Sequence, residues 1–525
     1  VAGRVSKLQT KVYRLLSNFN QTKWKIAFKS ILIGIFAGLL TVLYRIGIEY
    51  GTEYAGKLYD YLRGHPVYIV LWLLLIAGAG LLIGWFVKLE PMASGSGIPQ
   101  TEGVLLYGLK MKWYSILAVR YIGGLMCSLF GLSLGREGPS IQIGAAGGKL
   151  LSKKLAKTHI EENYLITGGA AAGLSAAFNA PLSGIIFALE EVHRSFSPLI
   201  LISATTASLT ADFVSKNFFG LKPVLHFTAT PQLPINLYIW LLPLGVMAGI
   251  VGTLMNRSLL GFQSMYSKVP ATVRPCIALF IALPCGIFLP EVLGGGQNLI
   301  RLSENAEKGI TFLAVLLLVK LLFTSTSFGS GVPGGIFLPI LSVGALSGSI
   351  LGLAAKQVGV PSQYLADFAV CAMAGVLSAS VKAPVTSILL TVEMSGTLVH
   401  MLPVAACSFI ALFLSDLLKT EPIYEALLER FVENNGGKIL AEEKGGIHEF
   451  PVELGSMICR KRISEIEWPE GVLIVGIRRG MKEIIPKGNT FIMPGDYLVI
   501  MSPEEQYKDI RKNLEGYCYV TEQVT

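Results

Sequence analysis

Gly135-Arg136-Glu137-Gly138-Pro139 places a carboxylate inside an apolar, glycine-rich run, and the same frame returns as Gly335-Ile336-Phe337-Leu338-Pro339. An ionisable side chain at membrane depth costs several kcal/mol unless it faces a polar cavity, so Glu137 reads as a functional residue on an ion or proton path. The Gly-x-x-x-Pro frame also interrupts helices. Proline lacks an amide hydrogen, and a helix that starts at such a break offers free backbone N–H groups to an anion.

The chain around these frames has the composition of a polytopic membrane protein. Apolar residues make up 52% of the 525 and charged residues 15%, and the mean hydropathy is +0.57. The 57 glycines suit helices packed closely in lipid. Candidate spans are Ile31–Tyr44 with its flanks, Val67–Val87, Ile116–Leu134, Leu237–Leu254, Val273–Leu289, Phe312–Phe328 and Leu402–Leu414. Ala180–Leu189 and Pro384–Val392 fall well short of the roughly 20 residues that cross the hydrocarbon, and each adjoins Gly or Pro. They are expected to be half-helices that meet inside the membrane.

Arg4, Lys7, Lys11, Arg14, Lys23, Lys25 and Lys29 precede the first span with no acidic residue among them, a stretch too long and too basic for a cleaved signal peptide. The positive-inside rule then puts the N-terminus in the cytoplasm. The formal net charge of +9 resides mostly in juxtamembrane segments such as Lys153-Lys154 and in the tail, which points to anionic lipid headgroups and not to nucleic acid. The seven cysteines lack CxxC or Cys/His spacing, so no metal site and no disulfide framework is expected. His-Glu-x-x-His is absent and no Gly-x-Ser-x-Gly is placed on a nucleophile elbow, so no enzyme activity is expected.

An internal repeat extends beyond the opening frames. Pro139 and Pro339 are followed at the same distance by Gly144-Ala145 and Gly344-Ala345, and Ala172–Pro181 resembles Ala374–Pro384 with one insertion. Glu190 and Glu393 stand at equal distances after Pro181 and Pro384, which suggests a shared structural role for that pair. Paired, Gly/Pro-interrupted hydrophobic segments in two halves are the pattern of a repeat transporter whose substrate binds between broken helices. The expected domains are a basic segment 1–24, a membrane domain 25–430 with halves at about 25–215 and 235–430, a polar linker 431–448, and a soluble α+β module 449–525. In the module, Phe450–Leu454, Val472–Ile477 and Tyr497–Met501 read as strands and Glu504–Leu514 as a helix.

Together with Gly95-Ser96-Gly97-Ile98-Pro99, the two frames resemble the signature set of the CLC family of chloride channels and proton/chloride antiporters, over roughly residues 20 to 430. The resemblance implies an all-α membrane fold of broken and tilted helices in two inverted halves. It also implies a homodimer in which each subunit holds its own anion pathway. The glycines and prolines of the motifs, Gly95, Gly97, Pro99, Gly135, Gly138, Pro139, Gly335 and Pro339, together with Arg136, would then shape the loops around the anion.

By the same resemblance Ser96 and Tyr424 coordinate a central chloride, aided by the backbone amides of Ile336 and Phe337. A site of dipoles and hydroxyls, with no fixed cation, binds an ion without trapping it. From the residues alone, Ser96 reads equally well as a turn or N-cap residue and Tyr424 as an interfacial aromatic. Glu137 matches the family's gating glutamate: a carboxylate and a chloride compete for the same amides, so proton uptake becomes linked to anion entry. The alternative, a salt bridge to Arg136, is disfavoured because adjacent helical residues project to different sides.

Glu191 matches the carboxylate that antiporters of the family use as an inner proton relay and that typical channels lack. Its alternative is a solvated residue at a helix end, neutralised by His193 or Arg194. Nitrate-selective relatives carry proline where this chain has Ser96, and the fluoride branch departs from the first motif, so chloride is the implied ion. The tail resembles the TrkA-C/RCK C-terminal regulatory module, through Ile484–Thr490 followed by Pro494–Ile500, and such modules dimerise and bind small ligands or nucleotides. The expected protein is thus a bacterial inner-membrane proton/chloride antiporter with both termini cytoplasmic, bound chloride as its only other requirement, and a tail that either takes a ligand or stabilises a dimer. The rival readings are a passive chloride channel of the same fold and a ligand-sensing membrane protein with vestigial transport.

Overall fold

The structure is a computed structural model that describes residues 2–225, 231, 233–305, 308–396, 398–434, 445–469, 471–480, 482–503, 514 and 517–518. Two compact units divide the chain, Val1–Leu428 and Glu429–Thr525.

The first unit is helical and duplicated. Its first half runs through α1 (Ala2–Gly64), α2 (Ile69–Leu89), α3 (Ile98–Leu106), α4 (Trp113–Leu129), α5 (Glu137–Leu155), α6 (His159–Phe178), α7 (Pro181–Phe187) and α8 (Pro198–Phe219). The second half repeats the order with α9 (Leu241–Ser267), α10 (Arg274–Phe288), α11 (Gln297–Asn305), α12 (Ile310–Gly329), α13 (Phe337–Gln357), α14 (Leu365–Val381), α15 (Pro384–Ser395) and α16 (Met401–Leu417). Helix α17 (Ile423–Asn434) follows. Among the described residues, eight helical segments are long and apolar enough to cross a membrane.

Local chemistry sets the breaks. Asn179 and Lys382 both close a helix in the left-handed conformation, and Pro181 and Pro384 both open the next one. Proline is tolerated there because the first turn has no intrahelical use for its missing N–H. The half-helices expected from Ala180 and Pro384 are therefore α7 and α15. Helices α5, α6, α8, α13 and α14 had no counterpart among the candidate spans. Glycine, serine and alanine dilute α5 and α6, which lowers their hydropathy, whereas α8, α13 and α14 are long and apolar enough to register by hydropathy and were passed over.

Small residues also bring the layers together identically in both halves. A Cβ on Gly144 would lie 2.1 Å from the Gly169 carbonyl oxygen, and one on Gly348 would lie 2.3 Å from that of Phe368, so α5 meets α6 and α13 meets α14 backbone to backbone.

The halves are locked by reciprocal contacts. Gly135 N donates to Gly335 O (2.7 Å) and Gly335 N to Gly135 O (2.8 Å), an antiparallel pair that sets the starts of α5 and α13 side by side. The Glu190 carboxylate accepts from the Val385 and Thr386 amides (3.3 and 2.8 Å) and from Thr386 Oγ1 (2.7 Å), at the N-terminus of α15. Glu393 returns the contact on α7, accepting from the Leu182 and Ser183 amides (3.1 and 2.7 Å) and from Ser183 Oγ (2.5 Å). The structural role expected for that pair is thus cross-capping, each carboxylate satisfying the free amides of the other half's helix.

The second unit holds an antiparallel sheet of β1 (Gly445–Pro451), β2 (Leu473–Arg479), β3 (Lys482–Ile484) and β4 (Asp496–Pro503) in the order β1-β4-β2-β3. Phe450, Ile477, Leu498, Ile500 and Cys518 form its core. Buried Asp496 accepts from Arg479 Nε (2.7 Å) and Nη2 (2.8 Å) and from the Met493 amide (2.8 Å), which fixes the turn into β4. Three expected strands correspond to β1, β2 and β4, although β1 ends at Pro451, short of Leu454. Strand β3 is too short to read from its sequence, and the expected helix Glu504–Leu514 lies, but for Leu514, outside the described residues.

Candidate anion site and its buried carboxylates

Three glycine-rich breaks converge at the centre of the first unit. Gly95 N donates to Gly331 O (3.4 Å) and Gly334 N to Gly95 O (3.1 Å), so the loop before α3 is tied to the one before α13. Gly95 and Gly97 have φ of +58° and +92°, a left-handed path that turns the Ser96 side chain inward without the steric cost of a Cβ. Ser96 Oγ lies against the first turn of α5, where a Cβ on Gly138 would be 2.3 Å away.

The expected site residues are brought together here and buried. Ser96, Glu137, Tyr424, Ile336 and Phe337 are each at most 2% exposed. The Ser96 and Tyr424 hydroxyls face one another, and neither makes a hydrogen bond. Both oxygens of Glu137 are likewise without a partner, although the carboxylate lies near its own amide and that of Leu338. Buried polar groups are almost always paired, so hydroxyls and a carboxylate left open around one point mark a place where a ligand exchanges with a side chain. Phe337 is fixed by Phe178 and Phe187, with ring centroids 6.3 and 6.0 Å apart, which holds its amide in the N-terminal turn of α13.

Arg136 is not the partner of Glu137. Its Nη1 meets Glu49 of α1 (2.5 Å), and Glu49 also meets Arg45 Nε (3.1 Å). Arg136 and Glu49 rim a cavity of about 610 Å³ whose wall includes Gly135, Gly295, Gly296 and Leu338. The cavity therefore reaches the backbone beside Glu137.

Glu191 lies in a π-helical turn, Ala188–Val192, at the end of α7 and is 7% exposed, so it is a buried carboxylate and not a solvated helix end. His193 turns away to the Thr167 hydroxyl (2.7 Å). Arg194 reaches Glu102 of α3 (3.0 Å) and Glu425 of α17 (3.4 Å).

Sequence reading passed over two buried cations. Arg120 of α4 donates to Gly95 O (2.5 Å), Ser94 O (3.3 Å) and Gln142 Oε1 (2.5 Å), and so holds the Ser96 loop from behind. Lys320 of α12 donates to Val292 O (2.9 Å) and Gly294 O (2.7 Å) and holds the equivalent Gly294-Gly295-Gly296 loop. A lone charge in each of two apolar helices, separated by the same offset as Glu137 and Phe337, was the signal available.

The family model described as voltage gated chloride channel matches residues 79–416. This chain belongs to that family. The CLC relatives it resembles include the H+/Cl− exchange transporter ClcA of Vibrio cholerae, 33% identical over 446 residues that cover 82% of this chain and 94% of the relative. ClcA of Salmonella schwarzengrund is 34% identical over 433 residues, 79% of this chain and 91% of the relative. Among solved structures, a slow cyanobacterial Cl−/H+ antiporter superposes with a TM-score of 0.73 at 29% identity, covering 78% of this chain and 99% of that one. A CLC-type fluoride/proton antiporter shares the fold, with a TM-score of 0.63 at 23% identity over 76% of this chain and 96% of the other. A second family model, the TrkA-C domain, matches residues 447–515.

Proposed function

We propose that this chain exchanges chloride for protons across a bacterial inner membrane, as a homodimer with both termini in the cytoplasm. The observation that carries the reading is the set of buried, unpartnered groups at one point: the Ser96 and Tyr424 hydroxyls and the Glu137 carboxylate. In this reading Ser96, Tyr424 and the Ile336 and Phe337 amides hold a chloride. Glu137 occupies the next position along the path when ionised and leaves it when protonated. Charge alone enforces the exchange, since a chloride and a carboxylate cannot both occupy a small site of low dielectric. Glu191, buried on the same domain, supplies the inner proton-accepting group that a pure anion channel does not need. The names of the exchange transporters and of the cyanobacterial antiporter favour the same assignment. The TrkA-C-like unit is assigned a regulatory role through a small-molecule or nucleotide ligand, and anionic lipid accompanies the basic juxtamembrane segments.

The test is reconstitution. With the purified chain in liposomes, a chloride gradient and no proton gradient, external pH and chloride are recorded together. Uphill proton movement driven by chloride is the expected result. Chloride flux with no proton movement would make the protein a channel and remove Glu191 from the transport cycle.

A further inference from the structure

The Arg194 side chain joins the two elements that carry the two hydroxyls of the candidate anion site. One arm reaches Glu102, in the first turns of α3 directly behind the Ser96 loop, and the other reaches Glu425, the residue after Tyr424 at the start of α17. The Ser96 loop is hydrogen-bonded to α3. Gln100 Nε2 donates to Ser94 O (3.0 Å), and the Thr101 amide and hydroxyl both donate to Gly97 O (3.0 and 2.8 Å). A pull on Glu102 is therefore a pull on Ser96.

The arginine itself is anchored. His193 N donates to Ala188 O (2.9 Å), Ser195 N donates to Leu189 O (3.1 Å), and the His193 ring is held by Thr167. Arg194 has φ +50°, a left-handed conformation that a side chain rarely adopts and that persists only where surrounding contacts impose it. Here it directs the guanidinium across the gap between α3 and α17. The position is also asymmetric in burial: Glu102 is 1% exposed, while Arg194 and Glu425 are about a third exposed, at 33% and 39%.

The charges do not balance. Arg194 lies within electrostatic range of Glu102, Glu425 and Glu191, and Glu191 also lies within range of Glu190. Glu190 is already occupied by the amides and hydroxyl at the start of α15. That leaves Glu102, Glu191 and Glu425 to share one guanidinium.

We propose that Arg194 is a positioning residue that clamps the Ser96 loop to the Tyr424 helix, and that ionised Glu191 loosens the clamp by competing for the same guanidinium. The inference rests on the exchange reading above and deepens it, because it names how a proton at Glu191 reaches the anion site without contact between the two. With Glu191 protonated, Arg194 is left to Glu102 and Glu425, and the two hydroxyls are held together. With Glu191 ionised, the guanidinium is shared three ways, and Ser96 and Tyr424 are free to part and pass the anion.

Chloride turnover and the Cl−/H+ ratio, the latter from the reversal potential, are measured on liposomes holding the wild-type chain, R194Q, R194K, E102Q and E425Q. R194Q is expected to raise chloride turnover roughly five-fold, the equivalent of losing one partly exposed ion-pair network, and to raise the Cl−/H+ ratio, while R194K stays near wild type. E191Q, with its clamp held shut, should carry chloride slowly, and E191Q/R194Q should restore the faster rate. A monodisperse R194Q with wild-type turnover and ratio overturns the clamp. If R194Q does not fold, E102Q and E425Q decide it, since each removes one jaw and each must raise the ratio. A wild-type chain that moves chloride without protons overturns the exchange reading instead, a result distinct from any change among the variants.

Discussion

At the residue scale the site depends on a carboxylate that can give up its place. Glu137 is fully buried, faces amide donors at the start of two helices, and makes no ion pair with the neighbouring arginine. Glu137→Gln keeps the shape and removes the exchangeable charge, so coupled proton movement should vanish while folding persists. Glu137→Ala also removes the plug, and chloride flux should continue without protons. Intact proton pumping in either variant, read from the liposome pH trace, would remove Glu137 from the gate. Gly138→Ala tests the approach of Ser96. The added methyl would sit 2.3 Å from Ser96 Oγ, too close to keep, so the loop must shift and chloride affinity should fall at least about ten-fold, measured by isothermal titration. Unchanged affinity would mean that Ser96 is not a ligand. These residues were legible in the sequence because each sits in a short, punctuated motif. Arg120, Lys320 and Glu102 were not, since they lie in ordinary helical context and gain meaning only from what they touch across the fold, and Arg194 was read only as a possible neutraliser of Glu191.

At the scale of elements, the duplicated half-helices α7 and α15 are each capped from the other half. The carboxylate's charge complements the exposed amides at the helix start and satisfies donors that have no intrahelical acceptor. Glu190→Gln and Glu393→Gln should therefore destabilise the unit by similar amounts, about 0.5–2 kcal/mol each, read as comparable drops in melting temperature in detergent. A large effect at one position with none at the other would contradict the reciprocal arrangement. The equal spacing of Glu190 and Glu393 after their prolines made this pair visible in advance. What the sequence withheld was the partner, because a local spacing does not reveal that each carboxylate serves the opposite repeat. Helices α13 and α14 were legible from apolar length alone and were passed over; what the sequence withheld is that protein buries most of them, 78% and 94% of their apolar windows. A further glycine loop, Gly294-Gly295-Gly296, was hidden for another reason. It lacks the serine of Gly95-Ser96-Gly97, and its kinship shows in the fold, where Gly294 and Gly296 repeat the left-handed path of Gly95 and Gly97 and the buried cations Arg120 and Lys320 hold the two loops alike.

At the scale of the whole molecule, each of the two units has a core of its own. Among the described residues, the hydrophobic core of the first unit is drawn from both halves and ends at Leu427, and that of the second lies around Phe450, Leu498 and Ile500. Every group proposed for exchange, from Ser96 to Tyr424 and Glu425, belongs to the first unit. A chain ending at Asn434 keeps α17 complete, so Tyr424 and the Glu425 arm of the Arg194 clamp retain their helix. Such a truncated chain should exchange chloride for protons with the full-length Cl−/H+ ratio, measured by reversal potential in liposomes. Only its absolute rate, or the response of that rate to added nucleotides, should differ. The reasoning is that stoichiometry is set by which groups trade places at the anion site, whereas a regulatory unit biases how often the cycle runs. If the truncated chain folds but its ratio changes, the tail takes part in the cycle itself. If its ratio and rate both match full length and no ligand alters either chain, the tail serves assembly alone. The result that would favour the sensing alternative is a full-length chain that binds a ligand through the tail yet moves neither ion.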